Sequence, residues 1–397
     1  MQTAANAATA TASGPKRPRA GVGKALGVGG VEVLTVALTL AGLRAGRRSL
    51  GEKSRHGPSS GDEPFKTTQA GVWPHELLHE IMTTPAVYSP LFQARSHFTE
   101  ARGLRHHALI WGDLSEATAD QPLLLLAHGW MDVGASFQFM VDALRQIPGW
   151  ETRPIAAIDW RGFGETSTPP TDSYFFADYL GDLDAFLDQL SPNGLPIDLL
   201  GHSMGGNVVM LYAAVRPERI RRLINLEGFG MPATNADEAP GRYVKWLDEI
   251  KAPARLKDYD TVEGVAQRLQ STNPRLRPDF ALWLAARWAR EEGSRWIINA
   301  DPAHKRSQPF LYRVEEVQAF LKRITMPVLF VEADQTIYFM LFNGRFTRDE
   351  FLERVKLVPN FSLQTITDAG HMVHHDQPVE LANHIARFLC APSAAIA

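Results

Sequence analysis

From about residue 96 onward, apolar and polar positions recur in two alternating rhythms. Pro122–Ala127 (Pro-Leu-Leu-Leu-Leu-Ala) is a continuous apolar run, the pattern of a strand buried on both faces of a parallel sheet. Pro154–Asp159, Pro196–Leu200, Arg222–Leu226, Pro327–Ala333 and Ser362–Thr367 also read as strands. Between them, apolar positions at helical spacing predict helices over Ala135–Ile147, Tyr174–Leu190, Met204–Val215, Arg348–Val355 and Val379–Leu389. Ahead of these, Ser96–Gly103 and Arg105–Gly112 read as two short strands joined by a glycine-containing turn. Strands that alternate with helices predict an α/β fold with a mainly parallel central sheet flanked by helices. The ligand crevice of such a sheet lies beyond the carboxyl ends of its strands.

The regular rhythm breaks twice. Between roughly Met231 and Arg323 long β-like runs are missing and the period is helical, which predicts a helical cap inserted after the sixth strand. Its tryptophans, Trp246, Trp283, Trp288 and Trp296, either pack the insertion's own core or line an apolar pocket over the site. The first seventy residues differ in composition, being rich in alanine, glycine, threonine and basic residues, with a polar Gly/Pro/Ser stretch over 51–61. Leu26–Leu43 is their one apolar run; it is short for a membrane span and carries Glu32. The expected organisation is a disordered or over-extended leader over 1–81, a core over 82–230 and 324–392, a cap over 231–323 and a tail over 393–397.

Composition narrows the function. The 397 residues are 45% hydrophobic and 21% charged, with 41 basic against 44 acidic side chains and a formal net charge of −3. Nothing in that balance recruits nucleic acid or an anionic membrane surface. The single cysteine, Cys390, cannot form an internal disulfide, and no Cys/His spacing suggests a structural zinc. The expectation is a cytoplasmic protein without a stable membrane span, the leader leaving a signal or anchor open.

The chemistry gathers in three short segments. Leu199-Leu200-Gly201-His202-Ser203-Met204-Gly205-Gly206 joins a strand to a helix, with small residues two before and two after the serine. Such a sharp turn projects Ser203 Oγ at the top of the sheet, over a helix N-terminus. A serine hydroxyl needs a base to take its proton. His371, in Asp368-Ala369-Gly370-His371 directly after the last strand, is the candidate, whereas His374 and His375 are expected to open the final helix or pack locally. These histidines lack carboxylate or further histidine partners at ligand spacing, so no metal is expected, and no cofactor is required. Two preorganised N–H groups should hold the oxyanion: the Met204 amide, and the Trp130 amide in His128-Gly129-Trp130-Met131-Asp132. Gly129, Trp130 and His202 are expected to lie against substrate, while His128 and Asp132 either brace their loop or contact substrate.

These motifs resemble the α/β-hydrolase superfamily, most closely its serine-hydrolase-like branch of esterase and lipase relatives, over roughly residues 85–390. The loop Asp159-Trp160-Arg161-Gly162-Phe163-Gly164 is similar to one shared with epoxide hydrolases and dehalogenases. Those relatives use an aspartate nucleophile where this chain has Ser203, and that favours acyl transfer. The resemblance implies an acid after the strand Pro327–Ala333. Here Val331-Glu332-Ala333-Asp334-Gln335-Thr336 places Asp334 about two residues early and Thr336 at the usual position. Glu227, which ends the strand Arg222–Leu226, is similar to the acid that haloalkane dehalogenases carry there. Both carboxylates stay open as the partner of His371.

The implied activity is cleavage of a carboxylic ester or related small-molecule acyl substrate through an acyl-enzyme. The same residues would serve C–C bond, thioester or amide hydrolysis, or perhydrolysis. A ligand-binding protein that keeps the fold without turnover is the alternative of another class; its sign would be a His371 reached by neither Asp334 nor Glu227.

Overall fold

The computed structural model describes residues 87–391, so the expected leader over 1–81 and the tail over 393–397 lie outside the described residues. Strands β1 (Arg95–Ala101) and β2 (Leu104–Trp111) form an antiparallel hairpin. Then come β3 (Leu124–Ala127), α1 (Gln138–Arg145), β4 (Ile155–Ile158), α2 (Phe176–Leu190), β5 (Ile197–His202), α3 (Met204–Val215) and β6 (Ile220–Leu226). The segment after β6 holds α4 (Ala239–Ile250), β7 (Asp258–Tyr259), α5 (Val262–Thr272), α6 (Pro278–Trp288), β8 (Ala289–Glu292), β9 (Arg295–Ile298) and α7 (Val314–Leu321). The chain continues through β10 (Val328–Ala333), α8 (Arg348–Val355), β11 (Phe361–Ile366), the short α9 (Val373–Asp376) and α10 (Pro378–Cys390).

Eight strands form one sheet in the order β1-β2-β4-β3-β5-β6-β10-β11. It is parallel from β4 to β11, and only the pairings that β2 makes are antiparallel. The apolar runs explain why both faces are covered. Successive side chains of a strand point to opposite faces, and in β3 Leu125 and Ala127 enter one core while Leu124 and Leu126 enter the other. The first core is closed by α2, α3 and α7 through Leu183, Phe186, Val208, Val209 and Leu321. The second is closed by α1 and α10 through Met140, Val141, Leu144, Leu381 and Ile385. Each leucine so buried contributes roughly 1.5–3 kcal/mol. The prolines that open the expected strands, such as Pro154 and Pro327, lie just outside them, where they cannot donate to the ladder yet still accept from Leu124 N–H (3.0 Å) and Leu223 N–H (3.1 Å). The expected helix over Ala135–Ile147 begins instead with a 3₁₀ turn over Gly134–Phe137 and is regular only in α1.

The segment between β6 and β10, expected as a helical cap without long β-like runs, holds more than helices. It also carries a three-stranded sheet, order β7-β9-β8, whose β8–β9 hairpin turns through Gly293 at φ 65°. These strands are only two to four residues long, and β8 (Ala-Arg-Glu-Glu) is mostly charged, so they leave no alternating trace. Within the same segment α7 packs on the core face that carries α3. Trp283 and Trp288 are buried with Val133, Ala135, Phe139, Tyr259 and Phe280, joining α6 to α1 and to the segment before it. Trp288 Nε1 donates to Met131 O (2.9 Å), and Trp130 Nε1 donates to His304 O (3.2 Å). The insertion thereby grips the loop after β3 at two successive residues. Among the described residues no helix is long and apolar enough to cross a membrane.

Candidate active site

Strand β5 lies between β3 and β6, so the loops that leave the carboxyl ends of all three strands meet at one place. Ser203 stands there between β5 and α3 with φ 53° and ψ −113°, a conformation that L-residues rarely adopt and that costs on the order of 1–3 kcal/mol. Its neighbours make the bend possible. A Cβ on Gly201 would sit 2.4 Å from Gly205 O, and one on Gly205 would sit 2.3 Å from Ala127 O. Ser203 N–H donates to Leu226 O (2.8 Å), which pins the turn to the end of β6. Met204 opens α3, and its amide is among the N–H groups that a helix leaves without an internal partner.

Two strands beyond β6, the chain leaves β11 and turns back over the sheet through Asp368 at φ 52°. His371 Nε2 then lies 2.9 Å from Ser203 Oγ, and His371 Nδ1 lies 3.1 Å from Glu227 Oε2. Glu227 is fully buried with φ 57°. Its Oε1 accepts Ala333 N–H (2.7 Å), and its Oε2 also accepts the Thr336 hydroxyl (2.6 Å). Of the two carboxylates left open by the sequence, Glu227 therefore meets the imidazole and Asp334 does not. Asp334 Oδ1 instead accepts Ala369 N–H (3.2 Å), so it holds the loop that carries His371.

Sequence reasoning passed over the support given by Thr336 and Tyr338. Thr336 occupies the position where the resemblance would have set the acid, and that coincidence was the available signal. Tyr338 stacks along His371 (ring centroids 5.9 Å, 23° between planes) and its hydroxyl donates to Gly230 O. No local pattern announces it.

The loop after β3 lies directly against the serine. A Cβ on Gly129 would be 3.3 Å from Ser203 Cβ, so the missing side chain lets the Gly129–Trp130 backbone reach the elbow. His128 braces this loop: its Nε2 accepts Trp160 N–H (3.1 Å), leaving Nδ1–H to donate to Gly129 O (2.7 Å). Burial lowers it to about 4, which keeps the ring neutral. His202, expected to face substrate, is instead buried, and Nε2 donates to His371 O (2.8 Å). His374 and His375 both contact Ser136 Oγ through Nε2, at 3.0 and 2.6 Å. Burial, first among several causes, raises Asp132 to about 7. Among the described residues, Asp132, His202 and His374 bring one potential ligating atom each within 4.8 Å of one another. The partners that His374 lacks along the sequence thus come from the loop after β3 and from β5.

An apolar cavity of about 430 Å³ opens between the insertion and the core. Phe175, Phe176, Met210, Phe229, Met231 and Phe310 are among its walls. Ser203 and His371 do not line it; it approaches them through Asn207, one turn along α3, and through Gly228, next to Glu227.

Comparison with known proteins agrees with this architecture. The chain is similar to the sn-1-specific diacylglycerol lipase ABHD11 of Mus musculus (24% identical over 300 residues, covering 75% of this chain and 90% of that protein). It is also similar to a serine hydrolase-like protein of Danio rerio (25% over 319 residues, 76% and 94%). Among solved structures, the thioesterase domain from the curacin biosynthetic pathway superposes with a TM-score of 0.62 at 22% identity, covering 74% of this chain and 99% of the domain. The profile of the alpha/beta hydrolase fold matches residues 122–378, and the chain belongs to that family.

Proposed function

We propose that the protein is a serine hydrolase that cleaves a carboxylic ester or a related acyl substrate through an acyl-enzyme. The observation that carries this reading is the continuous contact from Ser203 Oγ through His371 to Glu227, at 2.9 and 3.1 Å. With Nδ1–H donated to Glu227, the lone pair of His371 Nε2 faces the serine hydroxyl. As Ser203 Oγ bonds to the carbonyl carbon, its proton passes to Nε2, and Glu227 stabilises the resulting imidazolium. The Met204 and Trp130 amides hold the oxyanion, each worth about 2.7–4 kcal/mol in the transition state. Collapse breaks the bond to the leaving group, which takes the Nε2 proton. A water molecule, deprotonated by the same nitrogen, then releases the acid and restores Ser203.

The names of the lipase and serine hydrolase-like relatives support an acyl substrate. The apolar cavity beside α3 supports one with a hydrophobic portion. A fold kept only for ligand binding is disfavoured, because a carboxylate does reach His371. The test is labelling by a fluorophosphonate together with turnover of p-nitrophenyl esters of increasing chain length. Wild-type protein should be labelled and active, whereas Ser203→Ala should lose both with its circular dichroism unchanged. Equal labelling of the two proteins would overturn the assignment.

A further inference from the structure

We propose that Asp132, His202 and His374 form a binding site for a divalent late first-row transition ion of the Zn²⁺ class, whose occupancy inhibits the hydrolase. All three residues are nearly inaccessible to solvent. Among the described residues, Asp132 Oδ2, His202 Nδ1 and His374 Nδ1 have no hydrogen-bond partner, although buried polar atoms nearly always find one. They come from separate parts of the chain: the loop after β3, the end of β5, and α9.

The geometry of His202 is that of a prepared ligand. Its Nε2–H donates to His371 O (2.8 Å), and this fixes the tautomer and leaves an unprotonated Nδ1. Donation of the second ring nitrogen to a backbone carbonyl is the usual arrangement of metal-bound histidine. Gly129 faces this nitrogen without a side chain: a Cβ there would lie 3.0 Å from Nδ1. On His374 it is Nε2 that lies 4.0 Å from Asp132 Oδ2, so ligation through that nitrogen would displace its contact with Ser136 Oγ (3.0 Å). Ligand atoms around tetrahedral zinc, at bonds of about 2.0–2.2 Å, stand roughly 3.4 Å apart. The present spread of up to 4.8 Å closes to that value with side-chain shifts on the order of an ångström. Two imidazoles and one carboxylate suit Zn²⁺, Co²⁺, Ni²⁺ or Cu²⁺, whereas Mg²⁺ and Ca²⁺ require more oxygen ligands.

The inhibitory effect rests on the serine-hydrolase reading; the site itself does not. The His202 and His371 rings are 5.0 Å apart between centroids. A dication on His202 would oppose the positive charge that His371 must take up in the transition state. It would also pull on the ring that holds the His371 backbone. Turnover should therefore fall chiefly in kcat, with KM little changed.

The experiment is calorimetric titration of chelator-treated full-length protein with Zn²⁺, in parallel with ester hydrolysis and the absorption spectrum of the Co²⁺ form. Wild type should bind one ion, lose activity with the same midpoint and recover it with EDTA. His374→Gln and Asp132→Asn should each weaken binding on the order of tenfold or more, and their esterase activity should resist Zn²⁺. Absence of binding, or binding unchanged in both variants, would overturn the site. If the variants fail to fold, an intense visible Co²⁺ spectrum of wild type, as four-coordinate sites give, supports it, and a weak octahedral one overturns it. Ion binding that depends on His374 in a protein without esterase activity would uphold the site and sink the serine-hydrolase reading alone.

Discussion

At Glu227 a single carboxylate, itself closed to water, accepts Ala333 N–H, the Thr336 hydroxyl and His371 Nδ1–H. Glu227→Gln would keep the size of the side chain but not the charge that steadies the imidazolium, and it can present an N–H to a nitrogen that should donate. In the serine protease pattern such a change lowers kcat by about 10⁴-fold. A similar order of loss is expected here, against a change within about threefold for Asp334→Asn, whose carboxylate accepts the Ala369 amide rather than the imidazole. Turnover of a p-nitrophenyl ester by the two variants checks this, and the reverse ranking would return the role to Asp334. Ser203 and His371 were legible because each sits in a short contiguous motif whose residue types state the backbone geometry. The choice of acid was not. It depends on how the turn after β10 directs Asp334 towards the His371 loop and Thr336 towards Glu227, and no residue type near either carboxylate encodes that direction.

At the next scale, the strand–turn–helix unit β5–Ser203–α3 shows why glycine matters at some positions and not at others. Gly205→Ala would drive a Cβ to 2.3 Å from Ala127 O and 2.6 Å from His128 O, both backbone atoms of the neighbouring strand end, so α3 and β3 would have to separate. Overpacking of this kind costs typically 1–3 kcal/mol and sometimes more. A Cβ on Gly241, exposed within α4, would meet no atom within 4 Å among the described residues. There Gly→Ala should stabilise by about 0.4–1 kcal/mol. Urea unfolding of the two variants should shift in opposite directions, and a common sign would mean that the elbow can relax in a way the backbone contacts do not allow. The core strands were legible for a related reason: a strand buried on both faces must be apolar throughout. The small sheet of the insertion was not, since its strands of two to four residues are fixed by contacts with α6 and the Gly162–Gly164 loop rather than by their own pattern. Gly164 N–H donates to Asn299 O and Asp301 N–H to Gly162 O, both at 2.8 Å, and Phe163 bridges Ala300.

Across the whole molecule the net charge of −3 is small, so its response to acid is set by buried groups rather than by the surface field. Burial, the leading cause in each case, lowers His128 to about 4 and lowers His304 and His375 to about 3. It also depresses His106, His202 and His374. In the unfolded chain each imidazole titrates near 6.5. Between that value and the lower folded one, the unfolded state binds more protons, so stability rises with pH. It is fully present above about pH 6.5 and is lost as pH falls towards 4. Asp132, raised to about 7, and Asp376, raised by burial, act in the opposite direction over part of this window. The histidines outnumber them. Each uncompensated imidazole removes up to about 1.4 kcal/mol per pH unit, against a total stability of roughly 5–15 kcal/mol for an ordinary domain. Denaturant midpoints should therefore hold steady from pH 8 to 7 and fall steeply between pH 6.5 and 5. A flat profile across that range would mean that these imidazoles take up protons in the folded state, which for His304, stacked between Phe163 and Tyr174 at 3.8 and 3.6 Å, would require the insertion to lift from the core.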